Sequence, residues 1–186
     1  DCQRLIDGEV DDLLGLLVDR WGPSLLVATR TAAAAAGISA PVYAVLRERF
    51  PDARLYEKDH IVDLRRRGAG KEGDDLPGRW IHGEPDLGDD AILVREDGLE
   101  YRVEPLRGMT IGLYPDQRDN RRRLATLVTP HTRLLNLFAH TGAFSVRVAA
   151  AGAARVVSVD LAPRYCAWAV ENLRRNGLDP GDHPVR

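Results

Sequence analysis

Cysteine is scarce in this chain. Cys2 and Cys166 are the only two among 186 residues, and no metal-ligand spacing relates them. That excludes a disulfide-stapled secreted scaffold and a zinc ribbon, and it fits a reduced, cytoplasmic setting without a metal. Long apolar runs are also missing: none approaches the ~20 residues of a membrane span, so no membrane partner is expected. No secretory leader pattern opens the sequence. A basic surplus is lacking too. The net charge is −2, so any contact with nucleic acid has to rest on local clusters. What is present, 44% hydrophobic and 29% charged residues, is the composition of a folded globular chain. Methionine occurs once, at Met109, and not at the start. With the sequence stopping at Arg186, soon after the second helix of its best-defined unit, a fragment cut at both ends is expected.

That unit spans residues 134–160, LLNLFAHTGAFSVRVAAAGAARVVSVD. The apolar run 134–138 has the length and flanks of a buried parallel strand. A tight segment follows at Ala139, His140, Thr141 and Gly142. Residues 143–151 read as a helix stopped by Gly152. Residues 155–159 form a second β-branched run, which ends on Asp160. This is half of a doubly wound nucleotide-binding layout, in which ligands sit at the carboxyl ends of the strands. Glycine scarcity separates the possible cofactors. A pyrophosphate needs a turn with several glycines, and Gly142 is the only one here. A nucleoside without phosphate, such as S-adenosylmethionine, needs less backbone clearance. It still calls for a carboxylate at the second strand end, where Asp160 stands. The plainer alternative is a βαβ unit in which Asp160 caps the next helix.

Upstream, the segments 14–19 and 25–30 flank the turn residues Gly22, Pro23 and Ser24, which predicts a hairpin. Ser39 and Pro41 open a helix that Pro51 ends. Residues 54–57 read as a further strand. Residues 1–78 are therefore expected to be a small α+β domain of strand, strand, helix and strand. Residues 79–108, with an Asp97-Gly98 turn, are expected to form a hairpin bridge. Residues 109–186 are expected to be the first half of a Rossmann-like α/β domain. The basic run Arg65, Arg66 and Arg67 suits phosphate contact, but taken alone a solvated loop balanced by Glu72, Asp74 and Asp75 is the favoured reading.

Residues 110–130, TIGLYPDQRDNRRRLATLVTP, place a polar helix start just before the first cofactor strand. Arg118 is suited to fork onto the carboxylate of a methionine moiety, and Gln117 to bond its polar end. Arg121, with Arg122 and Arg123, faces either substrate phosphate or water, with capping by Asp116 as the plainer reading. After Pro163 a helix runs to Asn176, stopped by Gly177. Tyr165, Ala169, Leu173, Cys166 and Trp168 belong to its packing stripe. Glu171 and Arg175 form an i,i+4 pair.

PDQRDNR, then LLNLFAHTGAFSV, then VVSVDLAPRYCAWAVENLRRNGL resemble the bacterial large-subunit ribosomal RNA cytosine-C5 methyltransferase family. The resemblance runs from about Arg4 to Leu178. It implies a class I S-adenosylmethionine-dependent fold. Asn136, Phe138, Ala139, His140, Thr141 and Gly142 would line the cofactor, Asp160 and Leu161 would bind its nucleoside, and Gln117 and Arg118 would lie close by. It implies ribosomal RNA as partner, with Arg65, Arg66, Arg67 and Arg121 as candidate RNA contacts. An N-terminal RNA-binding PUA domain is expected upstream, and a nucleophilic cysteine that attacks pyrimidine C6 is expected beyond Arg186. A methyltransferase with another acceptor, a nicotinamide enzyme and a non-catalytic RNA-binding fragment are the competing readings. The oligomeric state is left open, a homodimer included.

Overall fold

The computed structural model describes residues 1–37, 39–59, 78–83, 91–105 and 110–186. These divide into two compact units: Asp1–Ile92 with Glu104–Ile111, and Leu93–Val103 with Gly112–Arg186. The basic run Arg65 to Arg67 lies outside the described residues.

The first unit is a five-stranded sheet in the order β1 (Cys2–Asp7), β2 (Leu16–Trp21), β3 (Ser24–Thr29), β4 (Arg54–Asp59), β5 (Gly78–His82). The expected hairpin forms: β2 and β3 pair antiparallel from Leu16↔Thr29 to Trp21↔Ser24, with Gly22 in the left-handed region at φ 57°. The strands β3 and β4 are parallel, so the chain must cross over between them. It does so through α1 (Ala32–Gly37) and α2 (Ser39–Arg49). The short helix α1 is built almost wholly of alanine, Ala32 to Ala36. One sheet face, Leu16, Val18, Leu25, Val27 and Leu55, packs with Leu46 of α2. Lys58 on β4 is fully buried, and its Nζ donates to the Pro105 carbonyl at 3.1 Å.

The second unit opens with the hairpin β6 (Ile92–Glu96) and β7 (Leu99–Val103). Asp97 (φ 52°) and Gly98 (φ 81°) are both left-handed, as a two-residue turn between strands of right-handed twist requires. Segment 79–108, expected as a bridge, therefore supplies β5 to one unit and this hairpin to the other. A 3-10 turn (Pro115–Gln117) and α3 (Arg118–Ala125) follow. Then come β8 (Arg133–Leu137), α4 (Ala143–Ala150), β9 (Arg155–Val159) and α5 (Pro163–Arg175). The strands β8 and β9 run parallel, Arg133↔Arg155 through Leu137↔Val159. On the other side of β9, residues 184–186 align beside Ser158 and Asp160 through three backbone hydrogen bonds of 2.9–3.0 Å.

Two asparagines one helical turn apart tie α5 to β7. Asn172 Oδ1 accepts from the Arg102 N–H at 3.0 Å, and Asn176 brackets Glu100 at 2.7 and 2.8 Å. The Glu171–Arg175 pair forms as its spacing predicts, at 2.6 Å.

The expectation of a buried strand at 134–138 holds for one face only among the described residues. Leu135 is 59% exposed and Leu137 56%, while Leu134 and Asn136 are half-buried. An apolar run marks a strand able to pack on both faces. Among the described residues only one face of β8 does so, with Asn136 donating to Ser145 of α4 at 2.9 Å.

Candidate functional site

The turn from β8 into α4 is held in an unusual shape. Phe138 (φ 56°) and His140 (φ 51°) both occupy the left-handed region, which costs a side-chain-bearing residue roughly 1–2 kcal/mol. Such a backbone persists only where its surroundings over-determine it, and here four tethers do so. The Ala139 N–H donates to the Val159 carbonyl at 3.0 Å, and the His140 N–H to Asp160 Oδ2 at 2.8 Å. Thr141 Oγ1 donates to the Gly112 carbonyl. Asn172 Nδ2 donates to the Thr141 carbonyl at 2.9 Å. Gly142 (φ 76°) then starts α4, and a Cβ there would stand 2.8 Å from Ala169 Cβ on α5. Glycine is needed here both for its φ and for the close helix.

Asp160 follows β9 directly. Its Oδ2 accepts from His140, as above, and its Oδ1 from the Ala162 N–H at 3.0 Å. Each oxygen has a second lone pair. The N-cap of α5 is Ala162, which makes no side-chain cap, so Asp160 does not cap that helix. The carboxylate instead ties the strand end to the strained turn.

A cleft of about 130 Å³ opens beside this turn, lined by Gly112, Tyr114, Gln117, Asn136, Phe138, His140 and Thr141 among others. One wall is aromatic. The His140 ring lies 4.2 Å from Tyr165 and 5.5 Å from Tyr114, centroid to centroid. Burial lowers the His140 pKa from its ordinary value, with the Asp160 charge opposing in part. His140 is therefore neutral at pH 7. Phe138, by contrast, is 84% exposed at the rim.

The sequence matches the family described as S-adenosylmethionine-dependent methyltransferase over residues 59–184. The chain belongs to that family. It is 35% identical to ribosomal RNA large subunit methyltransferase I of Shewanella amazonensis, over 97% of this chain and 43% of that protein. A solved SAM-dependent methyltransferase structure from Streptococcus mutans is 27% identical, with a TM-score of 0.81 over 99% of this chain and 45% of that one. A methyltransferase structure complexed with SAH is likewise 27% identical at a TM-score of 0.81, over 99% of this chain and 44% of that one. The chain thus spans less than half the length of each of these proteins.

Membership of the methyltransferase family gives the expected residues a frame. Gln117, Asn136, Phe138, Ala139, His140 and Thr141 meet at the cleft. Gly142 and Asp160 shape its turn from behind, and Leu161, next along from Asp160, is 94% exposed. Arg118 does not line the cleft; its Nε donates to Glu96 Oε2 at 3.3 Å. Asp116 accepts from Gln117 Nε2 at 2.8 Å and makes no helix cap.

Arg121 requires a correction as an RNA contact. Its side chain is 1% exposed, and Nε and Nη2 each reach a Glu96 oxygen at 2.7 Å. A guanidinium sealed in a bidentate pair is not available to a phosphate. Helical spacing turned it inward, and no sequence signal paired it with a hairpin glutamate. Sequence reasoning also missed Tyr114, and it read Tyr165 only as packing. A tyrosine just before a Pro-Asp-Gln turn was the available hint for the former.

Proposed function

We propose that the cleft and the adjoining surface at Asp160 and Leu161 hold S-adenosylmethionine. In the full-length protein this site would serve methyl transfer to ribosomal RNA, at cytosine C5 of the large-subunit RNA. The observation that carries the cofactor reading is the coupling of Asp160 to a strained turn with a single glycine. The N–H groups of Ala139, His140 and Gly142 are engaged within the protein, which leaves little of the amide array that a diphosphate requires. A carboxylate with open lone pairs at a strand end is instead the acceptor that two ribose hydroxyls need. The cleft is smaller than the roughly 300–1,000 Å³ of a complete small-molecule site. It therefore suits one end of the cofactor, with the nucleoside lying toward Asp160 and Leu161.

The cofactor supplies an activated methyl group on a sulfonium. The chain's own residues bind and orient. Asp160 accepts from the ribose, Gln117 bonds the amino-acid end, and Arg118 adds positive charge near its carboxylate. A neutral His140 adds no positive charge against a sulfonium. Orientation of this kind is a large part of what a binding domain contributes to rate. The likeness to a ribosomal RNA large subunit methyltransferase supports the RNA acceptor, as does the cytosine-C5 resemblance in the sequence; a cytoplasmic setting agrees with both.

Calorimetric titration of this chain with SAH tests the cofactor reading, with NADH as the control. Heat of binding from SAH alone is expected; binding of NADH instead would overturn it. For the acceptor, the full-length protein is given labelled cofactor and ribosomal RNA. Label entering a protein or small molecule but not RNA would defeat the RNA assignment.

A further inference from the structure

We infer that the buried pair Glu96–Arg121 is a positioning device for the Tyr114 wall of the cleft, and that it sets affinity for the amino-acid end of the cofactor. The inference rests on the cofactor reading above and adds to it a buried ion pair, of which Arg121 lines the cleft and Glu96 stands behind it.

The pair is sealed, with side-chain exposures of 3% and 1%. Removing two charges from water is expensive, and a buried ion pair often contributes no more stability than well-packed apolar groups would. A structural role alone is therefore a weak account of it. The geometry supplies another. Arg121 Nη2 bonds Glu96 and also donates to the Tyr114 carbonyl at 2.9 Å. That carbonyl accepts as well from the Gln117 N–H at 3.1 Å, closing the Pro115–Gln117 turn. The Tyr114 ring faces His140, and the Gln117 side chain lines the cleft. Glu96 thus fixes Arg121, Arg121 fixes the Tyr114 backbone, and that backbone presents Tyr114 and Gln117 to the cleft, which Arg121 also lines. The Arg121 guanidinium is itself seated 5.6 Å from the Phe144 ring centroid on α4. Glu96 takes Arg118 as a second partner, so one carboxylate orients Arg118 as well as Arg121.

Two variants separate positioning from stability. Glu96→Gln keeps shape but removes the charge that locks Arg121. The double variant Glu96→Leu/Arg121→Met replaces the pair with apolar groups and deletes the tether to Tyr114, while thermal melting monitors the fold. Two ligands are titrated: SAH, and methylthioadenosine, which keeps the nucleoside and lacks the amino acid. In both variants SAH binding is expected to weaken about tenfold, the scale of one charge-assisted hydrogen bond. Methylthioadenosine should stay within about threefold of its original affinity. Hydrogen exchange at residues 112–118 should speed up while β8 and β9 stay protected. A melting-stable double variant that keeps its SAH affinity would overturn the inference, as would equal losses for both ligands. Failure of the unaltered chain to bind SAH would instead sink the cofactor reading beneath it.

Discussion

The Asp160 carboxylate accepts the backbone N–H of His140 at 2.8 Å, joining the end of β9 to a turn that leaves β8. One side chain thus holds the turn's shape, and under the proposed cofactor reading it would also accept from a ligand hydroxyl. Asp160→Asn is expected to weaken SAH binding roughly 10- to 100-fold and to lower stability by about 1 kcal/mol, since hydrogen bonds to an ionised acceptor exceed neutral ones. Calorimetry and urea midpoints measure the two effects. Unchanged affinity would remove Asp160 from the site.

Phe138 shows opposed demands. It stands at φ 56° with most of its ring in solvent. Phe138→Gly should raise stability by about 1 kcal/mol by relieving the left-handed backbone. The same change should weaken SAH binding, because it removes the rim and loosens the turn. A variant that gains both stability and affinity would contradict the proposed role of the strain.

Gly142→Ala should destabilise the second unit by roughly 2 kcal/mol or more, from φ strain and the clash with Ala169 together. Adding Ala169→Gly should restore only part of the loss, because it clears the clash and not the φ. Full rescue would show that the backbone conformation costs nothing there.

The depressed His140 pKa gives a signed pH dependence. Above the ordinary value near 6.5, folded and unfolded chains both carry a neutral ring, and the full stability is present. As the pH falls from there toward the lowered folded value, the unfolded chain binds the proton more readily and stability is lost. The charged group facing the ring from the neighbouring strand end is Asp160, which limits the shift without reversing it. His140→Phe should flatten the urea-midpoint profile between about pH 5 and 7 relative to the unaltered chain. Parallel profiles would exclude His140 as the source.

Much of the second unit was legible because its signals are local. The β-branched run of β9, Gly152 and Gly177 as helix stops, and the Asp97-Gly98 turn each act over a few residues. The tight turn from Ala139 to Gly142 was legible for the same reason. The inward rotation of Arg121 was not, because its partner Glu96 lies 25 residues away and a charged residue on a helix reads by default as solvated. The strain at Phe138 is invisible for a related reason. Nothing in an aromatic residue announces a left-handed backbone, which here is imposed by bonds from β9 and α5.

Of the three tryptophans, Trp21 and Trp80 sit in the first sheet, and Trp168 alone belongs to the second unit. Its indole donates to the Arg102 carbonyl at 3.0 Å and lies so close over Gly112 that no Cβ would fit there. Gly112 is also the residue that anchors Thr141 and lies two before Tyr114. Trp168 is therefore a native optical probe at the back of the turn. With Trp21 and Trp80 changed to phenylalanine, its emission would follow the arrival of a ligand without any attached dye.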